Sequence, residues 1–276
     1  MRSIMTMLNK EWLENPLVSR VPFFMFVCGT LLFIGLMSNS NLQQNFFFQM
    51  SVGGDANGIQ KQLGEELSSL IAGGAGLLSI LLGTQYFPRT LRKERSEGSI
   101  MFWRSMPISD VQMHVVKLVF GLLVIPLVCS ALVIIADVML WSMNIVTDHQ
   151  IGFLSRYSSL GYVLLHWGEF LLRMGLAGFL LLPLALTTMV ISQKVNSPLV
   201  ILFIVIYTLR WMPIALFGYY GVDQFFSEIF YLPFHAIIAP NPLDAVAEVG
   251  NTNLGIYVFI GLLAWAACLR VSRTIQ

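Results

Sequence analysis

Charged side chains are scarce in this chain. Only 11% of its 276 residues are Asp, Glu, Lys or Arg, whereas soluble globular domains average about 25%. Apolar residues make up 56% of the sequence. So little charge cannot cover a water-exposed surface of ordinary composition, which excludes a disordered tail and a typical soluble enzyme. The composition predicts that lipid is the solvent for most of the chain.

Cysteine and excess charge of either sign are also lacking. The three cysteines, Cys28, Cys129 and Cys268, lie far apart inside apolar runs. Their odd number and wide spacing exclude a disulfide scaffold, and they predict no metal site. The net charge of +1 gives no indication of nucleic-acid binding.

The sequence lacks the common nucleotide-binding and hydrolase motifs. The stretch from Gly53 to Lys61 superficially resembles G-x-x-x-x-G-K-[ST], but Ile59 follows Gly58 where the pattern requires Lys. The G-x-S-x-G and H-E-x-x-H patterns are absent as well. We therefore predict that this chain is not itself an enzyme and binds no cofactor. If ATP drives it, a partner must hold the ATP.

Long apolar runs are what the sequence has in abundance. A membrane-spanning helix needs about 20 mostly apolar residues, and six stretches qualify. The fourth is too long for one simple crossing, and the first is interpreted as an uncleaved span because no small-residue cleavage site follows it. The prediction is an all-α integral membrane fold with six transmembrane helices in a single domain, residues 1–276. The stretches are Val21–Met37, Leu67–Phe87, Val115–Trp141, Leu160–Ser192, Pro198–Phe217 and Leu254–Leu269.

The distribution of Lys and Arg predicts the orientation. Of the 16 basic residues, all but Lys61, Arg156, Arg173 and Arg210 fall on the side that carries the N-terminus. Cytoplasmic loops are enriched in Lys and Arg. We expect a multi-pass protein of the cytoplasmic (inner) membrane with both termini in the cytoplasm.

The segment before the first span has an amphipathic pattern. One face of a helix over residues 1–18 would carry apolar side chains, and Pro16 interrupts the pattern. Such a helix lies in the membrane interface, although a frayed cytosolic tail is the alternative. The apolar residues are Met1, Ile4, Met5, Leu8 and Trp12.

The longest inner loop, residues 88–114, has more structure than a tether needs. A charged stretch with helical character precedes a Gly98-Ser99 break and a short apolar run. After Pro107, Ser109 is placed to cap a helix that Asp110 begins. An apolar cluster surrounded by charges suits a protein-docking surface. The alternative is a basic loop that only sets topology and binds anionic lipid.

The pattern Glu-Arg-x-x-Gly-Ser, an apolar run, Pro-x-Ser and a basic residue before a span resembles the first cytoplasmic loop of type-2 ABC transporter permeases. In this chain the pattern consists of Glu94, Arg95, Gly98, Ser99, Pro107, Ser109 and Lys117. Ser99 stands where the family usually has Thr. The interfacial helix, the six spans and the long outer segment match the family in architecture, whereas the motif covers only this loop.

This resemblance implies the membrane subunit of an ATP-driven exporter. The loop would dock on a separate ABC ATPase subunit that holds ATP and Mg, and a second copy or a similar permease would complete the transporter. Substrate would then move outward. The implied coupling residues are Glu94, Arg95, Glu97, Gly98, Ser99, Met101, Phe102, Trp103, Arg104 and Pro107.

Four charged residues lie within or beside the apolar runs, toward the outer ends: Asp137, Glu169, Arg173 and Arg210. Charges are costly inside a membrane and are often functional there. Glu169 and Arg173 can pair at i, i+4, and Asp137 could pair with Arg210. We expect either a latched outer vestibule or purely structural pairs.

A different function class stays open. Asp137, Glu169 and His166 would suit an ATP-independent membrane carrier or a membrane-embedded enzyme. A structural assembly scaffold is a third class. A carrier or an enzyme should place polar groups near mid-membrane, whereas this sequence places them toward one edge. The structured inner loop favours the ATP-driven permease.

The outer segment 218–250 has no Lys or Arg and many aromatic residues. We expect two short helices that re-enter the outer leaflet, with breaks at Pro233, Pro240 and Pro242. An apolar stripe that includes Phe225, Phe226 and Phe230 is predicted to gate release. A lid that only seals the bundle is equally compatible with the pattern.

Overall fold

The computed structural model describes residues 2–38, 56–96, 109–146, 152–195 and 197–274. Within these ranges every regular element is helical and no strand occurs. The helices are α1 (Arg2–Glu14), α2 (Leu17–Ser38), α3 (Ala56–Ser96), α4 (Asp110–Val119), a π turn (Phe120–Val124), α5 (Ile125–Val146), a 3-10 helix (Gly152–Ser158), α6 (Leu160–Lys194), α7 (Pro198–Phe217), α8 (Gly221–Ile238), α9 (Pro242–Glu248) and α10 (Asn251–Thr274).

Six helical stretches of the described residues are long and apolar enough to cross a membrane. They overlap the six predicted runs, so the predicted all-α chain with six apolar helices of spanning length is confirmed for the described residues. We number them as spans in chain order. They are Leu17–Gly35, Gly64–Lys93, Asp110–Val146, Leu160–Gln193, Pro198–Phe217 and Asn251–Ser272.

The third span contains a π turn from Phe120 to Val124, in which the Ile125 amide donates to the Phe120 carbonyl. Pro126 follows directly. Proline has no amide hydrogen, and its ring crowds the carbonyl four residues earlier, here that of Leu122. A single wider turn relieves that crowding, and such turns are frequent at functional sites.

The chain divides into two compact units. Unit 1 contains Met1–Asn15, Ile80–Ile125 and Arg173–Gln276, and unit 2 contains Pro16–Ser79 and Pro126–Leu172. Unit 1 has an apolar core that joins α6, α8, α9 and α10, comprising Leu180, Ile229, Leu232, Ala236, Ala245, Val249 and Tyr257. Unit 2 has a core around Met143, Leu154 and Tyr157.

Two glycines allow helices of unit 1 to approach closely. A Cβ on Gly178 of α6 would lie 3.0 Å from the Leu122 carbonyl oxygen in the π turn. A Cβ on Gly261 of α10 would lie 2.8 Å from the Cβ of Pro183 in α6. Small residues serve this purpose where membrane helices cross.

The outer segment 218–250 forms two helices, α8 and α9, as its pattern predicts. The expected break at Pro233 is wrong, because Pro233 lies buried inside α8. The chain instead turns at Ala239–Asn241, where Asn241 caps α9 and Pro242 occupies its first turn. Proline is tolerated in that first turn because the amide there has no helical partner. Whether the pair re-enters a membrane stays a prediction.

Candidate functional site

The predicted coupling residues lie mainly outside the described part of the chain. Glu94 and Arg95 belong to the last turns of α3, and their side chains are not described. The others, Glu97, Gly98, Ser99, Met101, Phe102, Trp103, Arg104 and Pro107, fall outside the described residues. The structure therefore gives the two helices that flank this loop.

The helix after the loop begins as predicted. Ser109 Oγ accepts a hydrogen bond from the Gln112 amide at 3.2 Å, and Gln112 Oε1 accepts one from the Ser109 amide at 3.2 Å. This reciprocal pair is a capping box, which satisfies two amides otherwise left without a partner. Asp110 in the first turn adds a favourable charge at the positive end of α4.

A buried ionic cluster, which we call the inner cluster, joins three helices of unit 1. Its members are Glu11 of α1, Tyr86 and Thr90 of α3, and Lys117 of α4. Lys117 Nζ lies 2.8 Å from Glu11 Oε1 and donates to Thr90 Oγ1 at 2.9 Å. The other carboxylate oxygen accepts from the Tyr86 hydroxyl at 2.8 Å and from Thr90 Oγ1 at 3.3 Å.

The inner cluster is almost completely shielded from the surroundings. Glu11 is 3% exposed and Lys117 is 1% exposed. A buried ion pair gains little net stability, because removal of both charges from water costs about as much as their attraction returns. Removal of one partner alone is expensive, however, because the remaining charge is left uncompensated. The cluster therefore holds α1, α3 and α4 in one arrangement.

The inner cluster contacts a face of α1 opposite to its exposed apolar residues. The predicted apolar face is exposed, with Met5 71% and Trp12 38% accessible, as a membrane-surface helix requires. Met7 and Glu11 form a buried face that the amphipathic pattern did not predict. The sequence did contain one indication of this buried face. Lys117 is a lone cation within an apolar run, and such a cation needs an anionic partner.

A more exposed ion pair lies at the end of α1. Lys93 Nζ is 3.7 Å from Glu14 Oε2 and donates to the Glu14 carbonyl at 3.4 Å. Lys10 Nζ lies 3.5 Å from Glu14 Oε1. Since the Lys93 side chain is 38% exposed, this pair contributes little, as surface ion pairs do.

Two arginines hold α8 at both of its ends within unit 1. Arg210 of α7 contacts Asp223 at 2.6 Å and donates to Ser227 Oγ at 2.9 Å. Arg173 of α6 donates to the carbonyls of Ile237, Ala239 and Pro240. A cation at a helix C-terminus satisfies carbonyls that have no helical partner and opposes the helix dipole. The sequence predicted that both arginines lie toward the outer ends of their spans, but it did not identify these partners.

The three predicted gate phenylalanines lie along one side of α8. Phe225 and Phe226 have ring centroids 5.5 Å apart, and Phe226 stacks on Phe230 at 6.3 Å. All three are half-buried, and Phe225 packs against the apolar core of unit 1. Rings that are half-buried and close-packed suit both a gate and a lid.

Asp137 of α5 and His166 of α6 are in contact inside unit 2. His166 Nδ1 lies 2.7 Å from Asp137 Oδ2, so the partner of Asp137 is this histidine and the partner of Arg210 is Asp223. Asp137 has no exposed surface and His166 has 7%. Glu169 faces outward on α6. Its pairing with Arg173 stays a prediction.

An apolar cavity of about 360 Å³ opens in unit 1 between α6 and α10. Its wall includes Phe179, Pro183, Leu186, Val258 and Trp265. Tyr257 also lines the cavity, and its hydroxyl donates to the Leu180 carbonyl at 2.8 Å. The cavity thus offers hydrocarbon contacts and suits an apolar guest.

No group of three or more His, Cys, Asp or Glu side chains comes together within the described ranges as a metal site would require. No family of known proteins, no curated protein and no solved structure matches this chain.

Proposed function

We propose that this chain is the membrane-spanning permease subunit of an ATP-driven ABC exporter. The observation that carries the proposal is the inner cluster. It fastens both helices that flank residues 97–108, the part of the predicted inner loop that lies outside the described ranges, to the same helix, α1. A loop that only connects two spans has no need of such an anchor, whereas a loop that receives force from a partner does.

The inner cluster would transmit that force. A partner ATPase that binds ATP and Mg would press on Met101, Phe102 and Trp103. Because Glu11 and Lys117 resist separation in a buried site, the end of α3 and the start of α4 would move together with α1. The spans that continue from α3 and α4 would then change their packing and open a path outward.

In this proposal, α8 controls the release of substrate at the outer side. Arg210 and Arg173 hold its two ends, and Phe225, Phe226 and Phe230 form its aromatic side. We propose that this helix is the outer gate, held shut by the two arginines. The apolar cavity and the aromatic gate favour a hydrophobic substrate, such as a lipid-like molecule.

A second candidate function is an ATP-independent membrane carrier or a membrane-embedded enzyme. The contact of Asp137 with His166 favours it, because a paired acid and base inside a spanning region is typical of proton-dependent carriers. Glu169, the third residue of that hypothesis, is exposed on the same helix as His166.

Co-purification with an ATPase decides between the two. The tagged chain would be co-expressed with ATPase subunits encoded beside it and purified in mild detergent. We expect an ATPase to co-purify, and we expect Phe102→Ala/Trp103→Ala to abolish both its recovery and its stimulation. Leu31→Ala, on an exposed part of α2, is the matched control and should leave recovery unchanged.

Recovery of the wild-type chain without any ATPase would contradict the proposal of an ATP-driven exporter. That result would favour the ATP-independent carrier or the membrane-embedded enzyme. Full recovery with the double variant would overturn the docking role of the two aromatic residues.

A further inference from the structure

The apolar cavity of unit 1 has the length of a lipid tail. Its walls come from the third, fourth and sixth spans. Along α10 the lining residues extend from Leu254, close to the start of the sixth span at Asn251, to Trp265. Over that stretch the helix rises by about 16 Å, and one leaflet contributes about half of the 30 Å hydrocarbon core. The cavity therefore matches the depth over which an acyl chain extends.

The cavity opens sideways onto the surface of unit 1. Phe179, Val258 and Leu262 border it, and they are 67%, 40% and 63% exposed. Leu180 and Tyr257 line it from inside and are buried. Since these residues belong to spanning helices, the surface onto which the cavity opens is the one that lipid would cover. An occupant can enter from the membrane without separating the packed helices.

The chemistry of the wall selects a hydrocarbon. Among the described residues, none of those that line the cavity is charged. The Tyr257 hydroxyl already donates to the Leu180 carbonyl. Cavities of this kind stay dry, because a bound water molecule needs polar partners. An empty cavity also loses the dispersion contacts of its wall, and a hydrocarbon chain restores them without loss of a hydrogen bond.

A bilayer phospholipid is the nearest source of such a chain. Lipid tails are as apolar as leucine, so a bound chain gains no free energy by leaving water, and its binding depends on the fit to the wall. The volume of about 360 Å³ lies within the range of small-ligand sites. The exposed polar residues Asn251 and Thr252 lie at the start of α10, where a phospholipid headgroup would meet water.

We propose that this cavity binds one acyl chain of a bilayer phospholipid, with the headgroup at the end of α10 that carries Asn251. The chain lies between Phe179 of α6 and Val258 and Leu262 of α10. The site rests on the cavity alone, so it is independent of the proposed ATPase partner and of transport.

The test uses the full chain in nanodiscs of dioleoylphosphatidylcholine that contain a small fraction of the same lipid with a diazirine midway along one acyl chain. After illumination, mass spectrometry of the digested protein locates the labelled residues. We expect labels on the buried Leu180, Leu186 and Tyr257, which lipid at the outer surface does not reach. Val258→Trp and Leu262→Trp, which place an indole at the opening, should lose most of these labels.

Phe259→Trp is the matched control. Phe259 follows Val258 on α10 and is 60% exposed, but it does not line the cavity, so the labels on the buried residues should persist. Equal labelling of the buried residues in the Val258, Leu262 and Phe259 variants would overturn the proposal, and so would wild-type labels confined to exposed residues. Because Leu262 is 63% exposed, its variant decides if Val258→Trp does not fold.

Native mass spectrometry of the full chain released from the same nanodiscs identifies the occupant by its mass. We expect the wild type to retain one phospholipid more than Val258→Trp or Leu262→Trp does. Equal retention by the wild type and these variants would contradict a phospholipid in the cavity. Retention of a single-chain amphiphile in place of the phospholipid would overturn the proposal as well.

Discussion

Lys117 is the residue on which the inner cluster depends. Its ammonium is the cation that faces Glu11 at 2.8 Å, and both side chains are nearly inaccessible. Lysine is almost never fully buried unless it is paired. The whole side chain is buried, and its charged end reaches an acid 106 residues earlier in the chain.

We expect Lys117→Met to lower the free energy of unfolding by roughly 3–5 kcal/mol. Methionine preserves the length of the stem, so the loss comes from the buried charge of Glu11 that remains without its cation. Unfolding in SDS, followed by circular dichroism, measures the change. The double variant Glu11→Gln/Lys117→Met should recover most of the loss, because no uncompensated charge remains.

Lys93→Met is the matched control for this prediction. Lys93 also contacts a glutamate of α1, but its side chain is 38% exposed, and such pairs contribute about 0–1 kcal/mol. An equal loss in the Lys93 and Lys117 variants would contradict the special role of the buried pair.

Helix contacts in unit 1 depend on close approach at glycine. The crossing of α6 and α10 at Pro183 and Gly261 leaves no space for a methyl group on Gly261. The neighbouring atoms belong to the rigid ring and backbone of Pro183, so they cannot move aside as a flexible side chain can. The crossing also lies in the wall of the apolar cavity.

Gly261→Ala is expected to destabilise the chain by about 1–3 kcal/mol, because the added methyl group forces the two helices apart. Thermal unfolding in detergent measures this effect. Gly255→Ala is the control on the same helix, because a Cβ there meets nothing within 4 Å. That control should be neutral or stabilising by up to about 1 kcal/mol, since alanine favours helix more than glycine does. Equal melting temperatures for the two variants would show that the crossing is not tight.

The orientation in the membrane is a property of the whole molecule. The excess of Lys and Arg on one side predicts cytoplasmic termini. We would replace the three native cysteines by alanine and introduce Asn9→Cys in α1 or Asn251→Cys at the start of α10, both at exposed positions. An impermeant thiol reagent should label Asn251→Cys in intact cells and Asn9→Cys only after permeabilisation. The reverse labelling would invert the topology.

The sequence by itself determined the number and the approximate positions of the apolar spans, and it determined the start of α4. Both are local properties. A span requires a continuous apolar run of sufficient length, and Ser109 caps α4 through Gln112, three residues away. The sequence also predicted two helices in the outer segment, but the predicted break at Pro233 is wrong, because Pro233 lies buried inside α8.

Only the tertiary structure decided which charged groups meet. Glu11 and Lys117 lie 106 positions apart, and Asp137 pairs with His166 although Arg210 is an equally suitable partner by charge. The charge of a side chain and the hydropathy around it predict that it requires a partner of opposite charge. The packing of the helices decides which such partner lies within contact distance. The burial of Glu11 arises in the same way, since only the contact of α1 with α3 and α4 removes that face from the surface.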